Sequence, residues 1–212
     1  MYPKSSIIEI TDLIRKDKTI LFDDIIQGDL GDCYFLCALC TLCEFPDKIT
    51  KFFKAPKIKN GCVEVELILH GAPIKICVDD YAPFVTFDDD DQTTDDITYL
   101  SFAGQNKVSG HLWPSLLEKA WAKLNITYAG IGRGLVAEAF EVLFPAPIVS
   151  LDHMINDPEE IWGRTIGADE KNYLICADIS DEGKSKTWLT LIDKMGLISN
   201  HAYTVISVRY LF

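Results

Sequence analysis

Eleven consecutive uncharged residues, Cys33 to Cys43 (CYFLCALCTLC), directly follow the turn-forming acidic stretch Gly28-Asp29-Leu30-Gly31-Asp32. A segment that is apolar nearly all round must be covered by protein, and this one is well short of the ~20 residues needed to span a bilayer. It reads as a buried helix with Asp32 as its N-cap. The rest of the chain therefore has to supply elements that pack on every side of it.

The composition allows this. The chain has 212 residues, 48% of them hydrophobic and 11% aromatic, enough for one packed domain or two small lobes. The formal net charge is −12, and no basic stripe appears, which argues against binding to nucleic acid or to anionic membranes. Six aspartates fall within Asp88 to Asp96 and supply half of that charge. As an EF-hand this segment fails, with Thr93 where glycine is needed and Tyr99 where glutamate is needed, so it reads as a solvated loop. Glu9, Asp12 and Asp17 interrupt any apolar stretch between Met1 and Lys18, which excludes a signal peptide or anchor there. A soluble cytoplasmic protein is expected. The seven cysteines are an odd number without secretory features, so reduced thiols are expected and not a disulfide framework.

The front of the chain mixes helix and strand. Cys62 to Leu67 alternates with period two, with Glu64 and Glu66 on the wet face, and Ile74 to Val78 is its hairpin partner across His70-Gly71-Ala72-Pro73. Pro114 opens a helix whose Leu117, Ala120, Trp121 and Leu124 form one buried stripe, with Glu118 and Lys119 facing outward. Gly130, Gly132 and Gly134 make a flexible stretch that suits a lobe boundary, and Leu135 to Phe144 is a short helix. Tyr173 to Ile179, Trp188 to Asp193 and Ala202 to Val208 read as strands, with Trp188 in the core. The expected class is α+β, with a helical lobe over 1–132 and a β-rich lobe over 133–212.

The chemistry concentrates in two segments. In Gln27-Gly28-Asp29-Leu30-Gly31-Asp32-Cys33, the cysteine falls on the first turn of a helix, where unpaired backbone N–H groups and the positive end of the dipole favour a thiolate. Gln27 lies six residues upstream, so its amide and the Cys33 N–H can together form an oxyanion hole. A thiol nucleophile also needs an acid/base. His70 and His111 sit in or beside loops and His153 follows an acidic stretch, whereas His201 begins a strand that can hold its ring. None of the other three has metal-ligand spacing.

QGDLGDCYFL and GLISNHAYTV resemble the Cys and His boxes of calpain-type cysteine proteases, within the papain-like superfamily. LWPSLLEKAWAKLN, followed by Gly132, Gly134, Glu138 and Phe140, is similar to the stretch joining the two calpain subdomains. The resemblance runs from about Asp23 to Val205 in the family's order. It implies a two-lobed papain-like fold and a cysteine endopeptidase acting on proteins or peptides, with Cys33 as nucleophile, His201 as acid/base and Gln27 in the oxyanion hole. It also implies calcium as a regulatory ion. Asp24 matches a calcium ligand of the family's first subdomain, but His111 stands where an acidic ligand is expected, a poor partner for a hard cation.

Two departures qualify this resemblance, and one spacing suggests another class. Tyr34 replaces the family's tryptophan after the nucleophile. The family's orienting Asn, followed by Pro-Trp, has no counterpart before Phe212, and Asn200 is no substitute, because adjacent strand residues face opposite ways. The second lobe is thus expected to be completed by further domains or a partner chain, and the alternative to a protease is a catalytically impaired calpain-like module that binds protein partners. Finally, Cys33, Cys37 and Cys40 have the C-x3-C-x2-C spacing of radical SAM iron–sulfur sites, but the segment reads as helix where that signature needs a loop. Apart from Cys33, the cysteines read as small packing residues.

Overall fold

The computed structural model of the chain describes residues 20–53, 61–79, 81, 84–87, 97–100 and 112–210. The segment before Lys18, the Asp88 to Asp96 loop and His111 lie outside these residues.

The uncharged segment forms helix α1 (Cys33–Leu42), in which Tyr34 to Leu39, Thr41 and Leu42 are all buried. Asp32 takes the N-cap position, but its side chain makes no capping bond. Its backbone carbonyl instead accepts from Phe35 N and Leu36 N, at 2.8 and 3.1 Å. A short helix, α2 (Pro46–Thr50), starts with proline at its first turn.

Strands β1 (Cys62–Leu69) and β2 (Ala72–Asp79) pair antiparallel with Leu69 opposite Ala72. The turn is thus only His70-Gly71, tighter than the four-residue connection expected. Both turn residues have positive φ, 50° and 78°, the backbone that a two-residue hairpin requires. Val63, Val65 and Leu67 are buried, while Glu64 and Glu66 lie on the other face, as the alternation predicts. On that outer face Cys62 and Cys77 are diagonal neighbours in the register, with Cα atoms 6.0 Å apart and their sulfurs in contact. Cysteine count and context do not reveal that two of them fall on one face of adjacent strands. A second antiparallel pair joins β3 (Phe84–Phe87) and β4 (Ile97–Leu100).

Helix α3 (Trp113–Leu124) carries Pro114 in its first turn. Leu117 and Ala120 are buried as expected, but Glu118 is buried too, at 1% exposure, and does not face outward. The reason is tertiary: α3 touches α1, both strands of the first hairpin and a 3-10 turn at Tyr128–Ile131, so more than one face is covered. Helix α4 (Val136–Leu143) follows, its N-terminus closed by a bond from Leu135 N to the Glu138 carboxylate, 3.0 Å. The glycines before it serve close packing. A Cβ on Gly134 would lie 2.5 Å from the Tyr34 ring, and one on Gly31 would lie 2.7 Å from the Gly132 carbonyl oxygen.

Beyond α4 come α5 (Pro158–Asp169), β5 (Ile175–Ile179), α6 (Lys186–Lys194) and β6 (His201–Val205), with β5 and β6 antiparallel. Trp188 to Asp193, expected as a strand, is helix. The Ser185 side chain accepts from Trp188 N at 3.2 Å and caps the helix, and Gly196, with φ 75°, lies just past its end. Trp188 is only half-buried and carries Lys184 over its ring, 5.4 Å to the centroid, so it is not core. Among the described residues, 133–212 therefore hold three helices and one two-stranded sheet, which corrects the expected β-rich character of this part. The mixture of helix and strand is that of an α+β protein. No helix among the described residues is long and apolar enough to cross a membrane.

Candidate active site

α1 is the hub of the molecule, in contact with α2, α3, α4, β5 and β6. Phe35, fully buried, stacks on Trp121 of α3 at 5.7 Å between ring centroids, and Trp121 Nε1 donates to Tyr34 Oη at 3.0 Å. The aromatic after Cys33 thus anchors the first turn of α1 to α3. Burial raises the pKa of the Tyr34 hydroxyl, and the bond from Trp121 offsets part of that.

Cys33, at the first position of α1, is half-buried. Its Sγ lies 4.0 Å from the carbonyl oxygen of Asn200, the residue before β6. Two segments 167 residues apart in sequence therefore meet at the helix N-terminus. His201 is the first residue of β6, as expected from its sequence position. Its ring packs edge-on against Tyr203, 5.1 Å between centroids at 87°.

Strand alternation decides where that ring lies. Ala202 is buried in the core and Thr204 Oγ1 donates to the Cys37 carbonyl at 3.0 Å, so the even-numbered residues face α1. His201 and Tyr203 occupy the other face. Tyr203 is fixed in turn, because its Oη accepts from Ile198 N at 2.7 Å. Tyr203 escaped the sequence reading, although its place two residues after His201 on a strand was a usable signal.

Gln27 is exposed on the incoming loop, and its Nε2 donates to the Leu30 carbonyl at 2.8 Å. A primary amide has a second hydrogen, so this bond leaves one donor for another acceptor. Asn200 cannot orient His201. It sits in a left-handed turn at φ 53° and its Oδ1 accepts from Asp181 N at 3.2 Å. A cavity of about 750 Å³ is lined by Tyr34, His70, Trp121, Arg133, Glu138 and Phe144 among others, and none of Cys33, Gln27 or His201 lines it.

Asp32, next to Cys33, is fully buried and neither of its carboxyl oxygens has a hydrogen-bond partner of good geometry. Burial pushes its pKa up to about 6, an effect that Glu118 and the Asp32 backbone reduce. Asp24, the candidate calcium ligand, is also buried, and its Oδ2 accepts from Leu21 N at 3.0 Å. Among the described residues no group of three or more His, Cys, Asp or Glu side chains is placed to hold a metal ion.

A thiol on the first turn of a buried helix, set against a strand distant in the chain that begins with histidine, is an arrangement used by cysteine-dependent hydrolases as a class. A family model described as calpain family cysteine protease matches residues 4–212, and the chain belongs to that family. It is 28% identical over 196 residues to the calpain-type cysteine protease DEK1 of Zea mays, an alignment covering 88% of this chain and 8% of that protein. It is 29% identical over 192 residues to calpain-9 of Mus musculus, covering 86% of this chain and 25% of the relative. Calpain clp-1 of Caenorhabditis elegans is 26% identical over 191 residues, covering 88% and 22%. The chain thus spans a quarter or less of the length of these relatives.

Proposed function

We propose that this domain is a calpain-type cysteine endopeptidase core acting on peptide bonds of proteins, with Cys33 as nucleophile and His201 as general acid/base. The observation that carries the reading is the approach of the Cys33 thiol to the start of β6, 4.0 Å from Asn200. In this mechanism the His201 imidazole takes the Cys33 proton and the thiolate attacks the scissile carbonyl carbon. The second N–H of Gln27 and the Cys33 backbone N–H hold the resulting oxyanion. His201 then gives its proton to the leaving amine, water attacks the thioester with His201 as base, and the carboxylic acid and free thiol are released. Substrate would lie between a lobe formed by 1–132 and one formed by 133–212. No step is routed through calcium.

A second reading, a calpain-like module that binds protein partners without turnover, is favoured by the placement of His201 on the face of β6 away from α1. Catalysis requires the His201 ring to reach Cys33 Sγ and a group that orients it there. The two readings separate when wild type, Cys33→Ala and His201→Ala are compared on an unfolded protein substrate, with and without calcium. Protease function predicts cleavage lost in both variants, typically by 10³-fold or more. Cleavage that survives Cys33→Ala removes the nucleophile assignment, and a wild type inert under all conditions, yet retaining partners, supports the module.

A further inference from the structure

One turn beyond Cys33, α1 carries a second thiol that the proposed reaction does not use. Cys37 is buried, and its Sγ lies 3.0 Å from Cys176 Sγ on β5, closer than the van der Waals contact of two sulfur atoms. Thr204, the partner of Cys176 in the β5–β6 register, places its Oγ1 3.7 Å from Cys37 Sγ. Cys176 is half-buried, so the pair is reachable from solvent on its side. The contact links the helix of Cys33 to the strand pair that carries His201 across 139 residues of sequence.

We propose that Cys37 and Cys176 form a redox modification site, a dithiol that a hydroperoxide converts into a disulfide tying α1 to the β5–β6 strand pair. The sulfurs need to close by only about 1 Å to reach bonding distance. The chemistry balances in two steps. The Cys37 thiolate attacks the peroxide oxygen, becoming a sulfenic acid while the O–O bond breaks and, for hydrogen peroxide, water leaves. Cys176 sulfur then attacks the Cys37 sulfur, the S–O bond breaks and a second water leaves, so that two thiols and one hydrogen peroxide give one disulfide and two waters.

The surroundings set this pair apart from Cys40 and Cys43 among the five free cysteines. The thiol–thiol hydrogen bond from Cys176, opposed by burial and helped by Thr204, lowers the pKa of Cys37. Asp178 acts against this, and Cys40 bears on Cys176 from the same helix face. Burial pushes the Cys40 thiol up to about 11 and the Cys43 thiol further still, which makes both poor competitors. The site does not depend on peptidase activity.

The test is to reduce the whole chain, treat it with equimolar hydrogen peroxide at neutral pH, block remaining thiols by alkylation and map disulfide-linked peptides by mass spectrometry. A Cys37–Cys176 peptide is expected in wild type and in Cys33→Ala, reversed by dithiothreitol. Because it closes a long loop, the bond should raise the melting midpoint by on the order of 10 °C relative to the reduced protein. Cys176→Ser should lose both the peptide and this increment while keeping any effect of a cross-link between Cys62 and Cys77. The cross-link is read in wild type, so the result does not hang on a variant folding. Absence of the Cys37–Cys176 peptide, equal yield when oxidation is done in concentrated urea, or an unchanged midpoint would overturn the proposal.

Discussion

Asp32→Asn should make the stability of this domain less sensitive to pH. The Asp32 carboxyl has no exposure and no well-formed hydrogen bond, and burial raises its pKa from 3.8 to about 6. Below about pH 4 the group is protonated whether the chain is folded or not, and it contributes no pH dependence. Between about pH 4 and pH 6 the unfolded chain releases the proton first and binds fewer protons than the native state, so stability falls as pH rises. Above about pH 6 both states are ionised and the full penalty remains. A rise from 3.8 to about 6 corresponds to about 3 kcal/mol at neutral pH. Asparagine cannot ionise, so it removes this slope, whatever constant cost its own amide adds in the same pocket. The assay is urea unfolding of wild type and variant at half-unit steps from pH 4 to pH 8. The variant should gain on wild type by about 3 kcal/mol across that range, or roughly 6–12 °C in melting midpoint for a domain of this size. A difference between the two proteins that stays flat from pH 4 to pH 7 would refute the argument that the buried carboxyl ionises at a cost. Glu118→Gln should be measured beside it, since two carboxyls that interact cannot be treated as additive.

Two further substitutions address the packing. Ser185→Ala should cost about 1 kcal/mol by removing the cap bond to Trp188 N, whereas a strand at Trp188 to Asp193 would be indifferent to it; thermal unfolding decides. Gly134→Ala drives a methyl group into the Tyr34 ring, at 2.5 Å, and should cost about 1–3 kcal/mol by urea titration, while the same change at Gly163, which has open space around it, should not destabilise.

How much could be read beforehand varies from element to element. α1 was legible because a long uncharged segment leaves no choice about burial, and the first hairpin was legible because alternating Val and Glu commit each residue to a face. Trp188 to Asp193 was not: its mixture of Trp, Leu, Thr and Ile satisfies a strand propensity, and the cap at Ser185 and the turn at Gly196 tipped it to helix. Glu118 looked like a surface residue because a single-stripe pattern assumes one packed face, while α3 is packed on more than one. Gly134 looked like part of a flexible lobe boundary, and is small because the Tyr34 ring presses on it, just as Gly31 is small because the Gly132 carbonyl oxygen does.

The sequence by itself determined the family, the buried helix that begins with Cys33 and the strand that begins with His201, because each is written in neighbouring residues or in local periodicity. Only the tertiary structure decided that Asp32 and Glu118 are buried, that Cys62 reaches Cys77, that Cys37 faces Cys176, and that His201 shares a face with Tyr203 while Cys33 meets the carbonyl of Asn200. These are relations between segments that are distant in the chain. Their distances follow from how helices and hairpins close around α1, a choice that no local pattern of residues records.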